Sequence, residues 1–212
     1  MRFCFVDEET SGLRIEDNEI LSLAAIKTDK QLSILDSKTF YFRPECWKPH
    51  YDGAVNIHGI TRAHSISFPD KKKSMQEFLD WVELPHYFIC HSKKENFGKE
   101  FSFDFAFLEM QCLDMDLLFR FRGLLGAKSL STHKIAQTYY SNHKVGFNAE
   151  KGRPKLGLSH LCNYFGIELE HHNAESDVRA CLEIARRLRD IDEKFFYRCI
   201  EGYLDLWESI CE

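Results

Sequence analysis

The spacing of apolar residues predicts an α/β protein whose strands come early in the chain. Three short runs have the length and the aromatic or β-branched content of strands, at residues 2–6, 20–26 and 38–42. Residues 29–31 are typical of a hairpin turn between the second and third runs. A fourth run, at residues 86–90, predicts another buried strand.

Helical spacing dominates the rest of the sequence. Apolar residues recur every three or four positions in five segments, at residues 74–82, 105–118, 156–165, 177–188 and from about 195 onwards. The stretch from 140 to 155 has no such pattern and predicts a long loop. Without a linker or an internal repeat, the pattern indicates one domain over 1–212, with a C-terminal helix at about 195–212.

Composition and charge narrow the classes of function. The 212 residues are 44% hydrophobic, and 28 Lys and Arg face 33 Asp and Glu, a net charge of −5. An acidic chain of this kind does not coat a long nucleic acid by charge alone. No apolar run is long enough for a signal peptide or a membrane span, and the eight cysteines lack zinc-site spacing. We therefore expect buried free thiols in a cytoplasmic protein.

Acidic residues stand at the ends of apolar elements. Asp7 and Glu9 follow the first strand, and residues i and i+2 of a strand project to the same side. Asp104 lies in a phenylalanine-rich segment, where it caps a helix or binds a metal. Asp177, near the start of a helix, is either an ordinary first-turn acid or a fourth ligand. Together these oxygens predict a site for a hard cation such as Mg²⁺ or Mn²⁺.

These segments resemble the DEDDh 3′–5′ exonuclease family. Residues 7–13 read D-E-E-T-S-G-L, residues 172–177 read H-N-A-E-S-D, and residues 57–61 read I-H-G-I-T. The half-motif F-D-F-A-F-L at 103–108 also fits. The sequence departs from the family in the second motif, because His91 is 13 residues before Asp104, Ser92 replaces the usual Asn, and residues 93–100 form an apparent insertion.

The resemblance implies a ribonuclease H-like fold, with a central five-stranded mixed sheet flanked by helices, and two Mg²⁺ or Mn²⁺ ions. By motif position, Asp7 would bridge both ions, Glu9 and Asp177 would complete the first site, and Asp104 would hold the second. His172, rather than His171, would be the general base.

The same resemblance predicts contacts to the 3′-terminal nucleotide. These would come from Thr10, Gly12, Leu13 and His58, with Phe103 and Phe107 as stacking surfaces. The alternative for Leu13 is an ordinary turn residue, for His58 a capping or core histidine, and for both phenylalanines core packing. Local positive charge predicts phosphate contacts from the cationic loop Lys144, Lys151, Arg153 and Lys155, and from the clusters at 71–73 and 93–94; the alternative for each is an ordinary solvated loop.

The resulting hypothesis is a 3′–5′ exonuclease that acts on single-stranded or frayed DNA and releases nucleoside 5′-monophosphates. The alternative substrate is the 3′ end of RNA. A more remote alternative function is that of a non-catalytic accessory subunit that binds nucleic acid. A D-x-D-type phosphatase fits poorly because Glu9 stands at the second acidic position. Expected partners are the nucleic-acid 3′ end and either a polymerase subunit or a second copy of the chain, with no membrane. The last helix, with Tyr203 and Trp207, either completes the core or docks that partner.

Overall fold

The fold is built around a five-stranded mixed sheet. The computed structural model describes residues 2–83, 87–92, 102–125, 129–150, 152–170 and 172–208. The strands are β1 (Phe3–Thr10), β2 (Ile20–Thr28), β3 (Ile34–Tyr41), β4 (Tyr87–Cys90) and β5 (Ser129–Ser131). Their order is β3-β2-β1-β4-β5. Strand β2 is antiparallel to both β1 and β3, and β4 is parallel to both β1 and β5. The predicted mixed sheet is confirmed, with β1 at its centre.

Helices cover both faces of this sheet. They are α1 (Asp52–His58), α2 (Arg62–Ser65), α3 (Lys71–Val82), α4 (Phe103–Asp114), α5 (Leu118–Leu125), α6 (Thr132–Ser141), α7 (Leu158–Phe165), α8 (Ala174–Ile191) and α9 (Glu193–Glu208). A short 3₁₀ turn, Pro49–Tyr51, precedes α1. The left-handed Gly166 ends α7, as the sequence predicts.

The alternation of side chains along β1 divides the core into two layers. Phe3 and Phe5 pack with residues of α6, α7, α8 and α9. Cys4 and Val6 project to the other face and pack with residues of α3, α4 and α5. The odd-numbered residues at the end of β1 therefore project toward the layer that contains α8, and the even-numbered ones toward the layer that contains α4.

The observed elements outnumber the predicted ones. The helix predicted at 105–118 is two helices, because Asp116 takes a left-handed φ of 61° and the Leu117 N–H donates to the Cys112 carbonyl, which ends α4. The structure also contains α1, α2, β5 and α6, which the pattern does not predict. β5 has only three residues, too few for a period-2 signal to be recognised.

The remaining expectations concern thiols and the chain ends. Of the described cysteines, Cys46 is exposed and the other six are buried and free, so burial of thiols is confirmed with one exception. No helix among the described residues is long and apolar enough to cross a bilayer. The backbone of α9 is confirmed, but the side chains of Tyr203 and Trp207 lie outside the described part, so their role stays a prediction.

Candidate metal centre and active site

Three carboxylates meet at the end of the central strand. Asp7 and Glu9 project from β1 toward the layer of α8, as the i and i+2 rule predicts. Asp177 lies in the first turn of α8, whose N-terminus is capped by the Asn173 side chain, an acceptor for the N–H groups of residues 175 and 176. One ligand oxygen from each of Asp7, Glu9 and Asp177 lies within 4.8 Å of the others. The fold therefore brings together acids 170 residues apart.

Asp104 stands beside this group, in the first turn of α4. It does not cap the helix, because Ser102 is the N-cap residue and its Oγ accepts the Phe105 N–H at 3.1 Å. The capping alternative for Asp104 is therefore wrong. Its side chain is buried, and Oδ2 has no hydrogen-bond partner among the described residues. An oxygen of this kind is costly unless a cation or a proton satisfies it.

Electrostatics show that the site needs positive charge. Burial raises the pKa of Asp7 well above its ordinary value, and the charges of Asp104, Asp177 and Glu9 raise it further. Burial, with the charges of Asp177 and Asp104, raises the pKa of Glu9 from 4.5 to about 7. In the described part of the chain, no Lys or Arg forms an ion pair with Asp7, Glu9 or Asp104. An all-oxygen donor set with this excess of negative charge fits a divalent hard cation.

A fifth acid, Glu8, lies behind the site and was missed by sequence reasoning. It projects from β1 to the opposite face, toward the layer of α4, and is 7% exposed. Both carboxylate oxygens are buried and lack a hydrogen-bond partner among the described residues. Burial raises the pKa of Glu8 well above its ordinary value, and the charges of Asp104, Asp7 and Glu9 act in the same direction. The available signal was its even-numbered position in a strand buried on both faces.

The turn after β1 is held by side-chain hydrogen bonds. The Thr10 hydroxyl donates to the Gly12 carbonyl at 2.7 Å, and the Ser11 Oγ accepts the Glu19 N–H at 2.9 Å. A β-carbon on Gly12 would lie 2.5 Å from the Asn18 Oδ1. Any larger residue at position 12 would therefore have to displace the buried Asn18 side chain, which donates to the Arg14 carbonyl at 2.9 Å.

Leu13, His58 and His172 differ in exposure and in their contacts. Leu13 is 83% exposed, which is unusual for a large apolar side chain and leaves it available for contact. His58 ends α1, and its Nδ1 accepts the Ile60 N–H at 3.0 Å. Burial lowers the pKa of His58; the Thr10 carbonyl opposes this effect and the charge of His172 adds to it, so the two histidines are close. His172 is exposed and has a left-handed φ of 61° just before the α8 cap.

The two candidate stacking residues have different environments. Phe107 is 0% exposed inside the core beneath α4, so it offers no face to a nucleobase and the expectation for it is corrected. Phe103 is only partly buried, and its ring centroid lies 4.8 Å from that of Phe107. Phe103 and Phe107 are neighbours because residues four apart lie on the same face of a helix. Phe103 is less buried than Phe107 because it lies in the first turn of α4.

His91 and Ser92, whose roles the sequence left open, have separate functions in the structure. His91 Nε2 lies 3.0 Å from the Leu156 carbonyl and must donate to it, so in the neutral ring Nδ1 accepts from the Thr132 hydroxyl at 2.7 Å. Burial lowers the pKa of His91 to about 3, with a further contribution from His133. His91 thus joins β4, α6 and the segment before α7, whereas the Ser92 hydroxyl helps to limit the burial-driven rise in the pKa of Asp104.

The cationic loop is less charged than its sequence indicates. Lys144 pairs with Asp192 at 3.1 Å, and Lys155 pairs with Glu150 at 2.7 Å. The exposed Arg153 remains, while Lys151, like residues 93–100 and His171, lies outside the described part of the chain. With Glu150 counted, the loop has a formal charge of +3, and Asp192, an acid from outside the loop, lowers it to +2.

Comparison with known proteins places this site in a family. Residues 4–185 match the family model RNase_T, described as an exonuclease. A PolC-type DNA polymerase III of Staphylococcus aureus (strain bovine RF122 / ET3-1) is 26% identical over 175 residues, which are 82% of this chain and 10% of that protein. DNA polymerase III subunit epsilon of Treponema pallidum (strain Nichols) is 24% identical over 183 residues, 86% of this chain and 74% of that protein.

Solved structures of exonuclease I share the fold. One superposes with a TM-score of 0.79 at 21% identity, covering 94% of this chain and 43% of that one. The zinc-bound form of the E. coli exonuclease I–single-stranded DNA complex gives 0.79 at 20% identity, with the same coverage. The chain thus spans less than half of these structures and about a tenth of the polymerase. The likeness confirms the ribonuclease H-like fold.

Proposed function

Because the chain belongs to the DEDDh 3′–5′ exonuclease family, we propose that it removes nucleotides from the 3′ end of single-stranded or frayed DNA, as nucleoside 5′-monophosphates. The observation that carries the proposal is the convergence of Asp7, Glu9 and Asp177, with Asp104 beside them. Support for DNA comes from the relatives, a PolC-type DNA polymerase III and a DNA polymerase III subunit epsilon, and from an exonuclease I complex with single-stranded DNA. The role would be proofreading or end trimming.

The cofactors would be two Mg²⁺ or Mn²⁺ ions. The charges of the other three family acids all raise the pKa of Asp7, and Asp7 would hold both ions. Glu9 and Asp177 would complete the site of one ion, and Asp104 would complete the site of the other. When bound, such ions supply a hydroxide near neutral pH and neutralise charge on the attacking and leaving oxygens. The buried, unsatisfied Oδ2 of Asp104 is consistent with this assignment.

His172 would accept the proton of the attacking water. An imidazole can take and return a proton near neutral pH, and the exposed position of His172, five residues before Asp177, gives it access to solvent. Its left-handed backbone, immediately before the α8 cap, directs the side chain from a turn rather than from a rigid helix. This geometry would let the ring approach the substrate without displacing Asp177.

Selection of the 3′ end would rest on the turn after β1 and on α1. The backbone of Thr10 to Leu13, ordered by the Thr10–Gly12 hydrogen bond, would enclose the terminal nucleotide. The exposed Leu13 would contact its base, and His58, fixed by the Ile60 N–H, would face its sugar. Phe103 would offer the open part of its ring to a second base.

One assay tests the proposal. Single-stranded DNA, a duplex with a mismatched 3′ end, and RNA, each labelled at the 5′ end, are incubated with Mg²⁺, Mn²⁺ or a chelator. We expect metal-dependent ladders that shorten from the 3′ end, fastest on single-stranded or mismatched DNA. Faster trimming of RNA would establish the exoribonuclease alternative, and binding without cleavage would indicate an accessory subunit.

Two matched pairs of variants locate the chemistry. Asp7→Asn should reduce the rate at least about a hundredfold, because it removes a charge that stabilises the transition state through bound cations. Asp116→Asn is its control, since Asp116 is exposed and Asn also tolerates its left-handed φ of 61°. His172→Ala should likewise abolish turnover, with His160→Ala, on the exposed face of α7, as control. Wild-type rates in both Asp7→Asn and His172→Ala would refute the assignment.

A further inference from the structure

Unpaired cations gather in a cleft near the metal centre. The cleft has a volume of about 660 Å³ and lies between the segment after β3, α2 and the start of α3. Arg43, Arg62 and Lys72 line it, and all three are exposed. Within the described part of the chain, none of these side chains forms an ion pair or a hydrogen bond. We call this region the Arg43–Arg62–Lys72 cleft.

The acids that line the cleft do not cancel its charge. Glu45 is paired with a fourth lining cation, Lys71, at 2.7 Å, and the Asp70 side chain accepts the Lys73 N–H at 3.0 Å as the cap of α3. Asp114, at the end of α4, is the remaining acid. The lining therefore carries four cations and three acids, and three of the cations, Arg43, Arg62 and Lys72, form no ion pair among the described residues.

The cleft and the family acids lie at the same end of the strands, where β1 and β3 finish. Glu9 of β1 is opposite Ser22 of β2, and Ser22 is opposite Tyr41 of β3, two residues before Arg43. Arg62 directly follows Thr61, the last residue of the I-H-G-I-T segment that contains His58.

Glu19 connects the cleft to the turn after β1. Its backbone exchanges hydrogen bonds with Ser11, through the Ser11 N–H and Oγ. Its carboxylate accepts from Lys71 at 3.1 Å and from the Glu45 N–H at 3.2 Å. One residue thus ties the wall of the cleft to the turn that follows Glu9.

The cleft also contains an oriented aromatic surface. Trp47 lines it, and its indole N–H donates to Asp52 while its ring packs edge-on against Tyr51 at 5.5 Å. A held indole beside unpaired guanidinium and ammonium groups is the combination that binds single-stranded nucleic acid, because bases stack on the ring and phosphates meet the cations.

We infer that the Arg43–Arg62–Lys72 cleft binds the sugar–phosphate backbone of the strand whose 3′ end lies at the metal centre. This inference rests on the proposed function. The cleft is large enough for more than one phosphate, and its adjacency to the turn after β1 places it along the strand rather than at the scissile bond. Nucleotides upstream of the terminal one would therefore be held there, and short substrates would not reach it.

Length-dependent binding tests the inference. The double variant Arg62→Gln/Lys72→Gln is compared with the control Lys30→Gln/Lys194→Gln, which removes the same charge. Lys30 and Lys194 line a pocket near the β2–β3 turn, at the opposite end of the strands. Binding of fluorescent oligothymidylates of about three and about ten nucleotides is followed by anisotropy, in chelator and across a range of salt concentrations.

For the cleft variant we expect about tenfold weaker binding of the longer strand and less than about a twofold change in binding of the shorter one. The slope of log binding constant against log salt concentration should become smaller by about 1.4, which is about 0.7 for each cation removed. The control should keep the wild-type slope, and the conservative pair Arg62→Lys/Lys72→Arg should restore it. Equal losses at both lengths, an unchanged slope, or the same effect in the control would overturn the inference.

The two proposals fail separately. If the wild-type chain releases no nucleotides with Mn²⁺ but the cleft variant loses length-dependent binding, only the proposed function fails. If the wild-type chain trims DNA and the cleft variant binds both lengths normally, only the cleft inference fails. Melting curves of all variants confirm that each is folded before binding is compared.

Discussion

Cation affinity should depend on pH, because the carboxylates that would hold the cation have raised pKa values in its absence. The pKa of Glu9 rises from 4.5 to about 7 through burial and the charges of Asp177 and Asp104. At lower pH a cation must displace the Glu9 proton in order to bind. For that single proton we expect Mn²⁺ affinity to rise about tenfold per pH unit up to about pH 7 and then to level off.

The same property sets the stability of the metal-free protein. The pKa of Glu9 in the folded state is above its unfolded value, so the native chain binds more protons, and the free energy of unfolding falls as pH rises from 4.5 to about 7. The difference in pKa, about 2.5, corresponds to about 3 kcal/mol, or about 6–12 °C in melting temperature. Asp7 and Glu8 act in the same direction.

His91 acts in the opposite direction. Because burial lowers its pKa from 6.5 to about 3, its neutral form stabilises the fold above pH 6.5, and this contribution is lost as pH falls toward 3. The effect is the same with and without a cation. The difference between melting temperatures in Mn²⁺ and in chelator therefore isolates the carboxylates.

Thermal unfolding at several pH values between about 5.5 and about 8 provides the assay, with and without Mn²⁺. In the wild-type chain the Mn²⁺-induced rise in melting temperature should grow with pH up to about pH 7. Glu9→Gln should melt higher than wild type in chelator at about pH 7.5 and gain little from Mn²⁺. Glu168→Gln, which changes an exposed acid, should behave as wild type. A Mn²⁺ effect that is independent of pH, or a Glu9→Gln chain no more stable than wild type in chelator, would refute the reasoning.

Three further substitutions test separate features. Gly12→Ala should cost about 1–3 kcal/mol in urea unfolding, because its β-carbon would lie 2.5 Å from the Asn18 Oδ1. Gly53→Ala, whose β-carbon would have nothing within 4 Å, should be neutral or stabilising by up to about 1 kcal/mol. Equal effects of the two substitutions would contradict this account. His91→Ala should cost about 2–4 kcal/mol by leaving two buried partners unsatisfied, and unchanged stability would exclude the network. Leu13→Ala should change stability by less than about 0.5 kcal/mol while raising the KM for single-stranded DNA up to about tenfold; an unaltered KM would show that this exposed side chain does not touch the substrate.

Much of the site could be predicted because its signals are local. Asp7 and Glu9 share a face through the two-residue period of a strand, and Asp177 belongs to the first turn of a helix whose apolar stripe is visible in the sequence. Strand β5 could not be predicted, because three residues carry no periodic signal. Ser102 rather than Asp104 caps α4, because the helix begins at Phe103, and apolar spacing does not fix the first residue of a helix.

By itself the sequence determined the order of β1 to β4 and of the long amphipathic helices, the acids at their ends and the family motifs, because periodicity and short motifs depend only on neighbouring residues. Tertiary structure alone decided which side chains are buried or paired. It buried Phe107 while leaving Phe103 partly open, enclosed Glu8 without a hydrogen-bond partner among the described residues, and neutralised Lys144 while Arg62 stayed unpaired. Burial and ion pairing arise from contacts between residues far apart in the chain, and those contacts exist only after the sheet and its two helical layers have assembled.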